Sequence, residues 1–338
     1  MGRPMTRILV TGAGGQIGTE LSAALRSRYG REQVLATDLK EHSEGQRELG
    51  PARQLDCLDA SALARTFNDF GPDLVFHLAA ILSARGEANP KLAYDVNLGS
   101  LMNLLEAARV ASCQLFVPSS IAAFGPDTPG DPTPQRTIQR PTTMYGVTKV
   151  AGELLCDYYH AHYGLDVRGL RFPGLISYTA PPGGGTTDYA VEIFHEALES
   201  GHYSCFLRAD TRLDMMYMAD AVRASIELME APGDGLKDRN AFNITAMQFT
   251  PEELGKAIQT RIPGFTMEYC PDPVRQAIAD SWPNRLDDSA ARDQWGWNPE
   301  YAIEETVSIM IKGLTETRNS TGLGSPPLPT DNPSTKED

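Results

Sequence analysis

The chain contains 338 residues, of which 41% are apolar, and it carries a formal charge of −14. This is the composition of a globular protein of one or two domains, and the acidic balance argues against nucleic acid as a partner. No apolar run approaches the ~20 residues that a membrane-spanning helix needs, so we expect no membrane association.

Five cysteines are scattered along the chain without a C-x-x-C pair, which favours neither a disulfide framework nor a zinc site. We therefore expect no metal. Residues Met1–Arg7 lead directly into a strand pattern and show neither a signal peptide nor a long arginine-rich transit segment. The location that we expect is the cytoplasm of a bacterium, which we favour over a mitochondrion.

The first predicted element is a strand, Ile8–Val10, which ends in a glycine cluster before a helical pattern begins. Glycines let a chain turn tightly and bring its backbone N–H groups close to a ligand. The N-terminus of the helix that follows is suited to holding a diphosphate. The spacing Gly12-x-x-Gly15-x-x-Gly18 departs from the strict G-x-G-x-x-G fingerprint, because Ile17 stands where the third glycine would fall. Taken alone, the cluster is also explained by a bare turn.

Asp38 makes the glycine cluster more informative, because it ends the next apolar run, Val34–Thr37. An acidic residue about 20 positions after the glycines is placed to bind the adenosine ribose hydroxyls of a dinucleotide. The same carboxylate would repel a 2′-phosphate. The sequence therefore predicts NAD, rather than NADP, as the cofactor.

Beyond Asp38, apolar runs and helical patterns alternate as far as the predicted strand Val167–Phe172. The runs Leu74–Leu78 and Leu115–Pro118 are typical of central parallel strands that are buried on both faces. Repeated βα units of this kind predict the α/β class, with a Rossmann-type doubly wound parallel sheet. Ligands of such sheets bind at the carboxyl ends of the strands.

The pattern predicts two regions and a tail. Residues 1–180 are expected to form the NAD-binding Rossmann domain, to which later segments near 203–247 contribute. Residues 181–317 are expected to form mainly a smaller C-terminal substrate-binding region, with its last helix at 302–314. Residues 318–338 are rich in Pro, Ser, Thr and Gly and nearly devoid of apolar side chains, so a disordered tail is expected there.

Three side chains suggest a reaction. Ser120 follows a predicted strand, and Tyr145 and Lys149 lie at i and i+4 on one face of a predicted helix, 143–163. Oxidation of an alcohol releases the hydroxyl proton as the hydride leaves, and a neighbouring ammonium stabilises the phenolate that would take this proton. A serine hydroxyl would hydrogen-bond the reacting oxygen. A Tyr-x-x-x-Lys pair alone is common, but here it follows the glycine turn and Asp38 in the right order.

The chain resembles the extended short-chain dehydrogenase/reductase superfamily, the NAD-dependent epimerases and dehydratases, from Ile8 to about Leu314. Within it, the chain is similar to the short-chain type of L-threonine 3-dehydrogenases. The resemblance is carried by the strings VPSSIAAFG at 117–125, TIQRP at 137–141, PPGGGTTDYA at 181–190, MMYM at 215–218 and NITAM at 243–247, together with Tyr145 and Lys149.

This resemblance implies NAD-dependent oxidation of the 3-hydroxyl of L-threonine to 2-amino-3-oxobutanoate, without a metal. The implied catalytic residues are Ser120, Tyr145 and Lys149. Ser120 is preferred over Ser119 because of its distance from the Phe124–Gly125 pair, although the choice between the two serines stays open. Sugar-modifying relatives usually carry a tyrosine where this chain has Phe124.

The resemblance also implies two sets of binding residues. The cofactor-binding residues are Gly12, Gly15, Gln16, Ile17, Asp38, Leu55, Asp56, Leu78, Ala79, Ala80, Tyr145, Lys149 and Pro173. The substrate-binding residues are Ser83, Ser120, Tyr145, Thr186, Thr187 and Asp188. For the last three of these, a simpler explanation is that they cap the helix beginning near Tyr189. The adjoining glycine run is expected to move and to close over the substrate.

Helix 143–163 carries more apolar surface than one sheet face needs, which indicates a homodimer; a well-buried helix in a monomer is the alternative. Two other functions stay open. A nucleotide-sugar epimerase or dehydratase would share the fold and the catalytic side chains, and a non-catalytic NAD-sensing protein would keep only the fold.

Overall fold

A computed structural model of the chain describes residues 6–180 and 183–320. Its strands are β1 (Ile8–Thr11), β2 (Val34–Asp38), β3 (Ala52–Gln54), β4 (Leu74–His77), β5 (Gln114–Phe116), β6 (Ser119–Ser120), β7 (Val167–Arg168), β8 (Leu170–Phe172), β9 (Gly174–Ile176), β10 (His202–Cys205), β11 (Leu213–Tyr217), β12 (Phe242–Asn243), β13 (Met247–Phe249) and β14 (Thr266–Tyr269). Its α-helices are α1 (Gln16–Tyr29), α2 (Glu44–Glu48), α3 (Ala60–Phe70), α4 (Ser83–Ala88), α5 (Pro90–Ala111), α6 (Met144–Tyr163), α7 (Tyr189–Glu199), α8 (Met218–Glu230), α9 (Pro251–Gln259), α10 (Pro273–Asp280), α11 (Ser289–Trp295) and α12 (Ile303–Ser320).

The main sheet has six strands in the order β3-β2-β1-β4-β5-β7, and every neighbouring pair is parallel. Successive side chains of a strand point to opposite faces. Accordingly, Ile8 and Val10 of β1 belong to one apolar core, with α1 and α8, while Leu9 belongs to a second core, with α3, α5 and α6. The predicted α/β class and doubly wound parallel sheet are therefore confirmed. The strand order reverses between β1 and β4, where ligands of such sheets bind.

A third apolar core joins helices α7, α9 and α12 to the short sheets β9-β11-β13 and β10-β14. Tyr145, from the start of α6, and Ile121 and Ala122, from the turn after β6, also belong to this third core. The proposed catalytic segment therefore lies where the large sheet meets the C-terminal region. The division into two domains stays a prediction.

Several elements differ from the prediction. The predicted strand 167–172 is split at Gly169, whose N–H and C=O bond to Arg239 and Phe242, so that β7 joins the main sheet while β8 pairs with β6 and β12. Helices α2, α4, α10 and α11 are short and were not predicted. Helix α12 continues to Ser320, so the predicted start of the tail at residue 318 falls inside it. Residues 321–338 lie outside the described part of the chain.

Candidate active site

The glycine turn after β1 packs tightly on the end of β4. Gly12 has φ of +70°, and a Cβ on it would lie 2.7 Å from the backbone nitrogen of Ala79. Only glycine adopts this positive φ without strain and also lacks the Cβ that would clash with Ala79. Gly15 is the N-cap of α1 and has no side chain that could accept a hydrogen bond from the first turn of this helix. The N–H groups of that first turn are therefore left without a side-chain cap. The residues Gly12 and Ala79, which are 67 positions apart, thus form one wall of the predicted cofactor cleft.

Asp38 lies beside the same turn. Its carboxylate accepts hydrogen bonds from the N–H groups of Gly14, at 2.9 Å, and Lys40, at 3.1 Å. The N–H of Leu55 donates to the backbone carbonyl of Asp38 at 2.8 Å, while Asp56 is exposed and accepts from the next turn. The structure therefore brings the predicted diphosphate, ribose and adenine contacts to one edge of the sheet.

Gln16 is a further indication of a ligand in this cleft. Its side-chain Nε2 is buried and has no hydrogen-bond partner among the residues that the structure describes. A buried amide without a partner is costly unless another molecule satisfies it. The donor stands at the first position of α1, where N–H groups favour an anion. These features fit a dinucleotide diphosphate. Of the remaining predicted contacts, Ile17 packs partly on the core below, and Leu78 and Ala80 are half-buried at the end of β4.

Tyr145 and Lys149 are brought together at the start of α6. The Lys149 Nζ lies 5.3 Å from the centre of the Tyr145 ring, and it donates a hydrogen bond of 2.7 Å to the carbonyl of Pro118. This bond ties α6 to the segment that follows β5. The phenol is almost fully buried, with 9% of its surface exposed. Pro173, predicted to contact the nicotinamide, is buried between β8 and β9.

The structure distinguishes the two serines of β6. The Ser119 hydroxyl donates to the buried carboxylate of Glu153, which also forms an ion pair with Arg171 at 2.8 Å. Ser119 thus belongs to a buried polar network. The Ser120 oxygen accepts the N–H of Ala122 at 3.2 Å, and within residues 6–180 and 183–320 its own O–H has no acceptor. Ser120 therefore keeps a donor for a reacting oxygen.

Two predicted substrate residues meet although they are 103 positions apart. The hydroxyl oxygens of Ser83 and Thr186 lie 3.4 Å from each other, and both side chains are buried. Thr187 is half-buried, with its methyl group against Gly174, the residue after Pro173. Ser83, Thr186 and Thr187 therefore lie together near the nicotinamide end of the predicted cleft. Pro181 and Pro182, which open the glycine-rich string, lie outside the described residues.

Asp188 stands at the N-cap of α7, but its side chain makes no capping hydrogen bond to this helix. The capping explanation is therefore wrong for the Asp188 side chain. Its Oδ2 instead accepts the N–H groups of Gly184, at 2.8 Å, and Gly185, at 2.7 Å. Burial raises the pKa of the Asp188 carboxyl, and these two N–H groups oppose the shift. The carboxylate folds the glycine run back onto the helix start.

Residues 8–245 match the NAD dependent epimerase/dehydratase family. The chain belongs to this family. An uncharacterized epimerase/dehydratase of Staphylococcus haemolyticus is 52% identical over 313 residues, which are 92% of this chain and 98% of that relative. The expected resemblance to the extended short-chain dehydrogenases is thereby confirmed, and an NAD-dependent oxidoreductase is supported.

Solved structures match the chain to a similar extent. The L-threonine dehydrogenase of Clostridium difficile has a TM-score of 0.90 and 50% identity, and the match covers 93% of this chain and 99% of that one. A monomeric L-threonine 3-dehydrogenase from a metagenome has a TM-score of 0.89 and 48% identity, covering 92% and 99%.

Asn97 is a member of this site that the sequence reasoning missed. Its side chain bonds the backbone of Ile81 in both directions, at 2.7 and 3.1 Å, and donates to Thr148 at 3.0 Å. Thr148 in turn donates to the carbonyl of Tyr145 at 2.8 Å. Asn97 thus connects the β4–α4 segment of this family fold to the helix that carries Tyr145. The available signal was a lone asparagine on the buried side of α5.

His77 was also missed, and it lies at the carboxyl end of β4. Its ring bonds the hydroxyls of Thr11, at 2.8 Å, and Ser100, at 3.2 Å. Burial, and to a lesser extent the nearby charge of Lys149, lower the pKa of His77 to about 3. The ring is therefore neutral at physiological pH and cross-links β1, β4 and α5 beneath the site.

Across residues 6–180 and 183–320, no cluster of three or more His, Cys, Asp or Glu side chains has an arrangement suited to a metal ion. Over the same residues, no helix combines the length and the apolar character required to traverse a membrane.

Proposed function

We propose that the protein oxidises the 3-hydroxyl of L-threonine to 2-amino-3-oxobutanoate with NAD. The observation that carries the proposal is that α4, whose Ser83 pairs with the buried Thr186, packs on the start of α6, where Tyr145 and Lys149 lie together. The likeness to solved L-threonine dehydrogenases at about half identity supports it. The proposed location is the cytoplasm.

In this proposal the cleft beside the glycine turn holds NAD. Gly15 and Gln16 face the diphosphate, because the first turn of α1 and the unpartnered amide of Gln16 supply donors. Asp38 accepts from the adenosine ribose, and Pro173 and Ala79 border the nicotinamide end. Bound NAD supplies the acceptor for the hydride.

Side chains of the protein accept the proton of the substrate hydroxyl and hold the substrate oxygen in position. The phenolate oxygen of Tyr145 takes the hydroxyl proton of the substrate, and the Lys149 ammonium stabilises that phenolate. The Ser120 O–H donates to the same substrate oxygen and holds it in place. Lys149 keeps its position through its bond to Pro118, and Asn97 keeps the start of α6 in register through Thr148.

The zwitterionic substrate needs donors for its carboxylate and an acceptor for its ammonium. Ser83 and Thr186 supply hydroxyl donors, and Thr187 lies next to them. Asp188 uses only its Oδ2 for the glycine N–H groups. Its Oδ1 has no hydrogen-bond partner among the described residues, so we assign it to the substrate ammonium.

The direct test is the appearance of NADH when L-threonine is added to the purified protein and NAD, with UDP-sugars as the comparison. Tyr145→Phe should lower turnover by about 100-fold or more, because general-base catalysis contributes factors of that order. Tyr163→Phe, on the same helix and 51% exposed, is the matched control and should keep wild-type turnover. Parental activity in Tyr145→Phe would refute the mechanism, and interconversion of UDP-sugars without NADH would favour an epimerase.

We also propose a homodimer formed through α5 and α6. Val147, Leu154 and Tyr158 lie on one face of α6 and are 46%, 63% and 47% exposed. Light scattering should give a dimer mass for the wild type and a monomer mass for Leu154→Glu. Leu49→Glu, at a position of equal exposure on another part of the surface, should remain dimeric. A monomeric wild type would refute this proposal, and the metagenomic relative is itself described as monomeric.

A further inference from the structure

Helix α4 (Ser83–Ala88) lies directly over the proposed catalytic base. Its first residue, Ser83, meets Thr186, and a Cβ on Gly86 would lie 3.8 Å from the Cβ of Tyr145. Glu87 accepts the N–H of Met144 at 2.6 Å, which fixes α4 to the start of α6. Side chains of α4 therefore border the space between the base and the glycine run.

Arg85 is the cation of this short helix. Its aliphatic stem lies against the glycine run, since a Cβ on Gly184 would meet its Cγ at 3.4 Å and its Cδ at 3.6 Å. The residue is exposed, and within residues 6–180 and 183–320 its guanidinium makes no hydrogen bond or ion pair with the protein. An arginine held by its stem keeps a head group free to bind an anion.

The other groups near the site are already engaged. The N–H groups of Gly184 and Gly185 donate to Asp188. Arg171 is paired with Glu153, and Lys149 donates to Pro118 and faces Tyr145.

Ser83 and Thr186 offer only neutral hydroxyls. A carboxylate leaving water is bound more strongly by a charged donor, and the arginine fork matches its two oxygens. We propose that Arg85 is the charge partner of the substrate carboxylate and gives this enzyme a preference for α-amino acids over amino alcohols that lack a carboxylate. This inference rests on the proposed oxidation of L-threonine.

The test compares L-threonine with its carboxamide, which has the same shape and lacks the negative charge. For L-threonine, Arg85→Met should raise KM by about tenfold or more, the range of one charge-assisted hydrogen bond, with kcat changed by less than about threefold. For L-threoninamide, the wild type and Arg85→Met should have the same kcat/KM. Arg85→Lys should recover part of the loss, because it keeps the charge and loses the fork. The KM for NAD should not change.

Arg65→Met is the matched control, because it removes one positive charge from an exposed arginine on α3, a helix without proposed site residues. It should leave both substrates unaffected. An unchanged KM for L-threonine in Arg85→Met, or an equal loss with both substrates, would overturn the inference while the wild-type activity upholds the proposed function. A wild type that does not oxidise L-threonine at all would overturn both.

Discussion

Gly146, next to the proposed base, is a position where one added methyl group should disturb the catalytic geometry. A Cβ there would lie 2.2 Å from the carbonyl oxygen of Ala122 and 2.5 Å from the Cβ of Pro141. Both obstacles belong to the backbone or to a rigid ring, so neither can swing aside. An ordinary carbon–oxygen contact is about 3.3 Å, so Gly146→Ala must move the start of α6 away from the Ser120 turn by about 1 Å.

That displacement separates Tyr145, on α6, from Ser120, which precedes the turn. A misplacement of about 1 Å between reacting groups lowers rates by about 100-fold. Overpacking of this kind also costs about 1–3 kcal/mol of folding stability. We therefore expect Gly146→Ala to be folded, to have a lower Tm, and to oxidise L-threonine about 100-fold more slowly. NADH formation and thermal denaturation measure the two effects.

Gly152→Ala, in the same helix, is the matched control. The nearest atom to its added Cβ would be the terminal Cδ2 of Leu101 at 3.2 Å, which a side-chain rotation can move. In a helix interior, alanine is also more stable than glycine by up to about 1 kcal/mol. This variant should keep its turnover and its Tm. Turnover within about threefold of the wild type in Gly146→Ala would refute the argument that close packing of α6 on the turn sets the catalytic geometry.

Two further predictions concern polar side chains at and beneath the site. Ser120→Ala should lower turnover with little change in Tm. Ser119→Ala should lower Tm with a smaller effect on turnover, because Ser119, of the two serines, donates to the buried Glu153 carboxylate. A lower Tm in Ser120→Ala and a lower turnover in Ser119→Ala would exchange the roles assigned to the two serines. The pKa of His77 is lowered from 6.5 to about 3 in the native protein. Between pH 6.5 and 3 the imidazole is therefore protonated in the unfolded chain and neutral in the native protein. This contribution to stability is complete above pH 6.5 and is lost as the pH falls, by up to about 1.4 kcal/mol per pH unit. Urea unfolding at several pH values should show a shallower acid loss in His77→Gln, and parallel curves for the two proteins would contradict the assignment.

Local sequence patterns were sufficient to predict the fold and the cofactor side of the cleft. The glycine turn, the acidic end of the second strand and the Tyr145–Lys149 pair are recognised by spacings of a few residues along the chain, and strand and helix periodicities have the same short range. The parallel sheet followed, because repeated βα units have one favoured way to pack. These features predicted the fold and the cofactor side of the cleft, and the structure places them together.

The substrate side depends on contacts between residues far apart in sequence, which local patterns do not encode. Ser83 and Thr186 meet across 103 positions, and only the tertiary structure shows that Asp188 occupies the glycine N–H groups instead of capping α7. The same holds for the two adjacent serines of β6. The two side chains are chemically identical, and their roles differ because Ser119 donates to the Glu153 carboxylate and Ser120 does not. A single-residue step along a strand reverses the direction of a side chain, so burial on one face and access on the other were decided by packing.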